Sequence, residues 1–431
     1  MNYSQTIEYL FSTTPSFQQV GADAYKPGLE RIRDFCHYLG DPQKGYLTIH
    51  VAGTNGKGSV SHMLASVLQH AGYRVGLFTS PHLRDFRERM RVNGKMITER
   101  EVVDFVARHK AKMRELDLSF FEMTTAMAFD FFATSEVEVA VIETGLGGRL
   151  DATNIITPEV SVVTNIGLEH TDLLGDTIEK VAFEKAGIIK AGVPIVLGEA
   201  SEQYNAVFEQ RAAELDSRVI YAEQEVSVVE HKRERDHQRM VLDRVRDAHR
   251  FEFVMDLAGE YQYHNVITAA AAADYLDTHT QITIPRRAFV EGMARVAATT
   301  SLAGRWQQLS DKPYIVCDTG HNAHGIKYIA EELHRISGEY DQQICIFGFA
   351  KEKNIDDILP LLPRNAYYIF TQASSPRSLP AGVLASKAAA FGLEGEVRST
   401  VAAALTRARE MATERDMIFI GGSNFVVAEI V

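Results

Sequence analysis

Cysteine is scarce in this chain. Cys36, Cys317 and Cys345 are scattered over 431 residues. That is too few and too spread for a zinc cluster or a disulfide framework, so a reducing compartment, the cytoplasm, is the expectation. A basic surplus is also missing. The net charge of −12 argues against a general nucleic-acid surface. The most apolar helical window, Ala126 to Ala133, contains Asp130 and falls short of the ~20 apolar residues a membrane span needs. Met1-Asn2-Tyr3-Ser4-Gln5 has neither a basic n-region nor an apolar h-region, so no signal peptide is expected. The chain has no tandem repeat and no low-complexity tract. Its 45% hydrophobic and 24% charged residues are ordinary for a soluble globular protein, and its length suggests two domains.

Apolar, β-branched runs alternate with helical patterns. Strands are expected at Leu47–Ala52, Val75–Thr79, Val137–Glu143, Val160–Asn165 and Pro194–Gly198. Helices are expected at Gly28–Leu39, Val60–Ala71, Glu99–Leu116, Thr124–Ser135, Thr177–Ala186 and Gln203–Ala213. Strands this apolar, interleaved with helices, predict a buried, mostly parallel sheet. Val219–Met255 then reads as a charged set of hairpins. Asn265–Leu276 and Arg286–Val296 read as helices, and Ala297–Ala303 as a linker. After it the α/β pattern restarts, with strands at Tyr314–Asp318, Gln343–Phe347, Ala366–Thr371 and Met417–Gly421 and helices at Gly325–Ile336, Ala381–Phe391 and Thr400–Glu410. The expected division is therefore 1–297 and 298–431, with a smaller Rossmann-like α/β domain second. The basic residues of His231–Arg250 are mixed with Glu and Asp, as on a solvated hairpin.

Gly53-Thr54-Asn55-Gly56-Lys57-Gly58-Ser59 lies between an expected strand and an expected helix. This is the setting of a phosphate-cradling loop. Glycines let backbone N–H groups converge on phosphate oxygens, and the helix N-terminus adds its positive end. Lys57 would neutralise the β/γ-phosphates, and the Ser59 hydroxyl could reach a Mg²⁺ shell. The spacing is not the standard G-x-x-x-x-G-K-[ST]. Only Thr54 and Asn55 separate the first glycines, and Gly58 stands between Lys57 and Ser59.

Other polar groups fall at strand ends. Glu143 closes an apolar strand, where such sheets hold Mg²⁺ beside a phosphate loop. Gly147-Gly148-Arg149-Leu150-Asp151-Ala152-Thr153-Asn154 reads either as an ordinary capped turn or as a polar loop of the same edge. His170 follows another strand. Lys185 precedes Gly187 near a helix end, a position normally held by a solvated cap partner. Asp318 and His321 sit where a second-domain strand meets a helix.

Taken in order, six segments resemble the Mur-ligase superfamily of ATP-dependent amide ligases, and within it the folylpolyglutamate synthase family with its bifunctional dihydrofolate synthase form. They are Gly53–Ser59, Thr79-Ser80-Pro81-His82, Glu143–Asn154, Gly167-Leu168-Glu169-His170-Thr171, Glu184-Lys185-Ala186-Gly187-Ile188 and Asp318-Thr319-Gly320-His321-Asn322. The similarity covers nearly the whole chain apart from Val219–Arg250, and it implies roles position by position. Gly56, Lys57, Gly58 and Ser59 would bind the ATP triphosphate. Ser80, Glu143 and His170 would hold Mg²⁺, and Lys185 would be carbamylated to support a second Mg²⁺. Asn265, Arg305 and Asp318 match ATP-binding positions, with His321 near the γ-phosphate. A pterin-side pocket would use Pro27, Gly28, Phe121, Glu122, Leu150, Asp151 and Ala152.

The resemblance implies a two-step ligation. A substrate carboxylate takes the γ-phosphoryl group as an acyl phosphate, and the amine of L-glutamate displaces phosphate to leave an amide. Lys57, Mg²⁺ and His321 would stabilise charge on the transferring group. The implied partners are L-glutamate, reduced folates and 7,8-dihydropteroate, on a monomer without nucleic acid or membrane. A peptidoglycan-precursor ligase is the alternative. Those enzymes carry an extra domain before the phosphate loop, for which the 52 residues ahead of Gly53 are expected to be too few.

Overall fold

The computed structural model describes residues 1–13 and 26–431. They form two compact units, one of Met1–Asp256 with Gln262–Leu302, the other of Leu257–Tyr261 with Ala303–Val431.

The first unit is built on eight strands: β1 (Leu47–Ala52), β2 (Val75–Phe78), β3 (Met90–Val92), β4 (Lys95–Met96), β5 (Val139–Glu143), β6 (Val160–Val163), β7 (Ile195–Leu197) and β8 (Val219–Tyr221). Their order is β4-β3-β2-β5-β1-β6-β7-β8. The six strands from β2 to β8 run parallel, while β3 and β4 form an antiparallel edge. The central parallel strands are buried on both faces and mostly apolar, and their polar members Thr48, His50, Ser161 and Glu143 are buried too. β1 lies between β5 and β6, so the chain order reverses around it. Ligands of open α/β sheets collect at the carboxyl ends of strands at such a point. Register sets Val51 opposite Glu143 and Ala52 opposite Val163, which brings the loops after β1, β5 and β6 together.

The helix expected from Thr124 begins earlier, at Phe120–Thr134. The cause is a capping box. The Ser119 hydroxyl accepts the Glu122 N–H at 3.2 Å, and Glu122 Oε2 accepts the Ser119 N–H at 2.7 Å. The linker expected at Ala297–Ala303 is instead mostly helix, Val296–Thr300. The Asp256 carboxylate accepts the N–H groups of Ala297 and Ala298, at 3.1 and 2.9 Å, and so caps it from a distant part of the chain. A further helix, Tyr3–Thr13, packs on the loop after β2. Phe11 stacks on Phe120 with centroids 4.9 Å apart, and the Tyr3 hydroxyl donates to Asp85 at 2.7 Å.

The charged segment divides. Val219–Tyr221 is the edge strand β8 of the main sheet, not part of the hairpins. The hairpins are an antiparallel sheet of β9 (Val226–Arg233), β10 (Gln238–Arg244) and β11 (His249–Met255). Its charges pair across strands: Arg239 bridges Glu230 and Glu252, and Arg250 meets Asp243 at 2.8 Å.

The second unit has β12 (Gln307–Ser310), β13 (Tyr314–Asp318), β14 (Gln343–Phe347), β15 (Tyr367–Phe370), β16 (Gly395–Val397) and β17 (Met417–Gly421), in the order β12-β13-β17-β14-β15-β16. Five strands are parallel, and β12 is an antiparallel edge. One apolar cluster fills each face. The three cysteines are buried thiols. Among the described residues no helix is long and apolar enough to cross a membrane.

Candidate active site

The loop after β1 is clamped by its neighbours. Thr54 N–H donates to the Asn165 carbonyl (3.0 Å), Asn55 N–H to Asn165 Oδ1 (2.9 Å), and Gly167 N–H to the Thr54 hydroxyl (2.9 Å). Two glycines are obligatory here. Gly53 (φ +147°) lies so close to the Thr164 hydroxyl that a Cβ would stand 1.9 Å from it. Gly56 (φ +82°) ends the loop against Asn265, where a Cβ would be 2.2 Å from Oδ1. The helix Lys57–His70 starts directly after Gly56, so its free N–H groups open at the loop. Ser59 is buried and accepts from Gln262 Nε2 at 3.3 Å, and Gln262 Oε1 in turn accepts from Asn265 at 2.8 Å. Gln262 and Asn265 thus brace the loop from the start of one helix.

Two lysines converge on the same carbonyl. Lys57 Nζ donates to the carbonyls of Gly53 (2.9 Å) and Thr54 (3.1 Å), and Lys185 Nζ donates to Gly53 at 2.8 Å. Lys185 is 4% exposed, unlike the solvated cap partner that its place near a helix end suggested. Burial, reinforced by the Lys57 charge and opposed by Glu169 and Asp151, pulls its amine from the ordinary 10.5 down to about 7.

Glu143, at the end of β5, is 3% exposed and accepts the Ser80 N–H at 3.2 Å. Buried Arg89 lies in its field, lowered to about 10 by desolvation and supported by Glu143. His170 takes a left-handed backbone (φ 51°), with the Glu169 carboxylate 3.7 Å from its Nε2. Among the described residues, no group of three or more His, Cys, Asp or Glu side chains is arranged to hold a metal. Ser80 and Glu143 are nonetheless hard oxygen donors beside a phosphate loop. Mg²⁺ takes one or two carboxylates together with substrate phosphates and water, so the donor set fits it.

On the other side of β5, the Phe121 ring covers Gly145, where a Cβ would stand 2.4 Å from the ring. Glu122 holds Arg31 at 3.1 Å, and Arg31 donates to the carbonyls of Lys26 (2.8 Å) and Pro27 (3.4 Å). Pro27, Phe121, Glu122 and the Gly145 loop are thereby brought together, with Pro27 exposed to solvent and Gly28 half-buried beside it. Asp151 is committed to its own loop. Its carboxylate accepts the N–H groups of Gly145, Leu146 and Thr153, at 2.9, 2.8 and 3.0 Å, and the Thr153 hydroxyl. It caps the short turn Ala152–Ile155. The loop is a capped turn and also part of this edge, and Asp151 shapes it.

In the second unit Asp318 is fully buried. Oδ2 accepts the Trp306 N–H at 2.8 Å and the Tyr261 hydroxyl, and Oδ1 accepts the Gly320 N–H at 2.7 Å. Burial raises its carboxyl, against the pull of Arg305 and these bonds. Arg305 donates to the Thr319 hydroxyl, and His321 Nδ1 lies 3.0 Å from the Thr319 carbonyl.

The profile of the Mur ligase middle domain matches residues 51–273, and that of the Mur ligase glutamate ligase domain matches residues 304–424. The dihydrofolate synthase/folylpolyglutamate synthase of Bacillus subtilis is 34% identical over 369 residues, covering 82% of this chain and 83% of that one. This chain belongs to the folylpolyglutamate synthase family of Mur ligases. A probable bifunctional folylpolyglutamate synthase/dihydropteroate synthase of Haloferax volcanii is 33% identical over 436 residues, and the chain spans 50% of its length. The solved E. coli FolC in complex with DHPP and ADP superposes with a TM-score of 0.86 at 27% identity, covering 100% of this chain and 97% of that one.

Within this family member, several supporting residues escaped the sequence reading. Thr164 and Asn165 clamp the phosphate loop. They end an apolar strand as a polar pair, which is a usable signal. Gln262 and Tyr261 reach partners 203 and 57 positions away, and Arg89 is buried beside Glu143. No local pattern marks those three.

Proposed function

We propose that this chain is an ATP-dependent ligase that adds L-glutamate to reduced folates and to 7,8-dihydropteroate. The observation that carries the reading is the braced loop Gly53–Ser59, with Lys57, Lys185 and Glu143 around it, in a chain whose two halves match the two Mur ligase domains. Dihydropteroate use is supported by the bifunctional name of the B. subtilis relative and by the DHPP held in the E. coli structure.

Gly56, Lys57, Gly58 and Ser59 bind the triphosphate, with Asn265, Arg305 and Asp318 serving the nucleotide and His321 the γ-phosphate. Lys57 exchanges its loop carbonyls for phosphate oxygens and offsets the charge of the transferring group. Ser80, Glu143 and His170 would hold Mg²⁺, which would supply Lewis acidity for the phosphoryl transfer. The folate carboxylate takes the γ-phosphoryl group of ATP with release of ADP, and the glutamate amine then attacks the acyl carbon, loses a proton and expels phosphate to leave the amide. Phe121 and the turn shaped by Asp151, with Leu150 and Ala152, face the pterin, while Pro27, Gly28 and Glu122 close its far side.

Lys185 is carbamylated in the working enzyme. Its neutral amine attacks CO₂, an N–H proton leaves to solvent, and the product carries oxygen donors for a second Mg²⁺. Burial supports this step because an ammonium group cannot attack. The enzyme works as a cytoplasmic monomer, without nucleic acid or membrane. Product masses from ATP, L-glutamate and either acceptor test the proposal, and chelation of Mg²⁺ should stop both reactions. ATP hydrolysis without any glutamyl product would refute it.

A further inference from the structure

The sheet β9–β11 covers one end of the helix Gln262–His279 and the neighbouring helix Arg286–Ala294, and a cavity of about 280 Å³ lies between them. Leu242, Ala273, Phe251 and Phe289 make much of its wall apolar. The two phenylalanine rings are 4.9 Å apart at 60°. Asp274 and Asp277, three residues apart on one helix face, border the same space. Asp274 uses Oδ1 for Arg244 (2.9 Å) and Arg246 (3.1 Å). Asp277 uses Oδ1 for the Ile284 N–H at 2.7 Å. Among the described residues the Oδ2 atom of each makes no hydrogen bond.

Three basic side chains, Arg244, Arg286 and His249, also border the cavity, the last with its ring 5.1 Å from that of Phe251. Arg244 is also held by Asp247, and Arg286 donates to the Arg250 carbonyl at 2.9 Å. The wall offers flat apolar contact and two open carboxylate acceptors, with Arg244 committed to carboxylates and Arg286 retaining N–H groups at the border. A wholly apolar ligand would strip water from the carboxylates without replacing its hydrogen bonds. An anion would meet them directly. The volume lies at the small end of ligand pockets, roughly 300 Å³ and upward, and suits one or two fused rings. Asp277 lies twelve residues along the helix from Asn265, about 18 Å at 1.5 Å per residue, so this cavity is separate from the phosphate loop.

We propose that the cavity binds a small flat heterocycle with an amino or amidine edge, its ring against Phe251 and Phe289 and its N–H groups donating to Asp274 and Asp277. The probe is 2-aminobenzimidazole, titrated calorimetrically into the full chain with and without saturating ADP. The control is 2-methylbenzoxazole, of the same shape but without an N–H. The amine should bind once and saturably, unaffected by ADP, and the control at least about tenfold more weakly. Asp277→Asn keeps an acceptor for the Ile284 N–H but turns a donor on the ligand, and should weaken binding about tenfold. Ala273→Leu should fill the space and abolish binding. Unchanged circular dichroism and ADP affinity certify that both variants fold. The ADP titration also reads the nucleotide assignment separately. No saturable binding, equal binding of the two compounds, displacement by ADP, or indifference to both substitutions would overturn the proposal.

Discussion

At the scale of single residues, the two lysines on the Gly53 carbonyl separate function from stability. Lys57 Nζ contacts only loop carbonyls, so Lys57→Ala should abolish ligation and leave the thermal midpoint within a few degrees. Near-normal turnover would remove Lys57 from the ATP site. Lys185 carries a folding cost as well as a role. Its folded pKa of about 7 lies below the ordinary 10.5, so between those values the unfolded chain binds more protons. Stability must therefore rise with pH across that window, and the full penalty applies below pH 7. In CO₂-free buffer, Lys185→Met should be inactive yet more stable at pH 7, on the order of 1 kcal/mol after loss of the bond to Gly53. The gain should shrink as the pH approaches 10.5. Melting curves across this range would show it, and a gain that grows with pH would contradict the assignment. Lys185→Ala should also recover part of its activity with added short-chain carboxylates, which can supply the missing oxygen ligands.

At the scale of elements, the phosphate loop depends on Gly56 more than on any contact it makes. Gly56→Ala would place a methyl group 2.2 Å from Asn265 Oδ1 at φ +82°, so ADP affinity should fall at least about tenfold while the central sheet stays intact. ADP titration beside circular dichroism checks this. Removing the cap at Ser119 is milder. Ser119→Ala should cost about 1 kcal/mol and raise KM for the pteridine substrate, because Glu122 anchors both the helix start and Arg31. Equal KM values for both proteins would mean that this end of the helix does not serve the substrate. The same elements mark what was legible in the sequence. The apolar runs of β5, β13, β14 and β17 announce themselves, because strands buried on both faces need no polar alternation. The Ser119–Glu122 box was readable but is hidden by the apolar residues that follow. The helix Val296–Thr300 was not readable, because its cap is Asp256, some forty positions away in sequence. The burial of Lys185 was equally hidden, since spacing places it on a helix end and only the packed sheet edge removes it from water.

At the scale of the whole molecule, both Mur ligase domains are present in family order, and the six motifs that suggested the family are spread between them. The charged sheet β9–β11 belongs to the first unit and lies within the residues that the Mur ligase middle domain matches, including the stretch Val219–Arg250 that the sequence motifs did not cover. Its paired charges explain why a basic-looking segment sits in a chain of net charge −12. The most direct test is a single assay of the purified chain with Mg²⁺, ATP and L-glutamate. Dihydropteroate or a reduced folate serves as acceptor, and phosphate release and product mass are followed together. Phosphate release that depends on both acceptor and glutamate, with one glutamyl residue added to each acceptor, is the expected result. Phosphate release that ignores glutamate, or no glutamyl product from either acceptor, would contradict the assignment of this chain as a folate glutamate ligase.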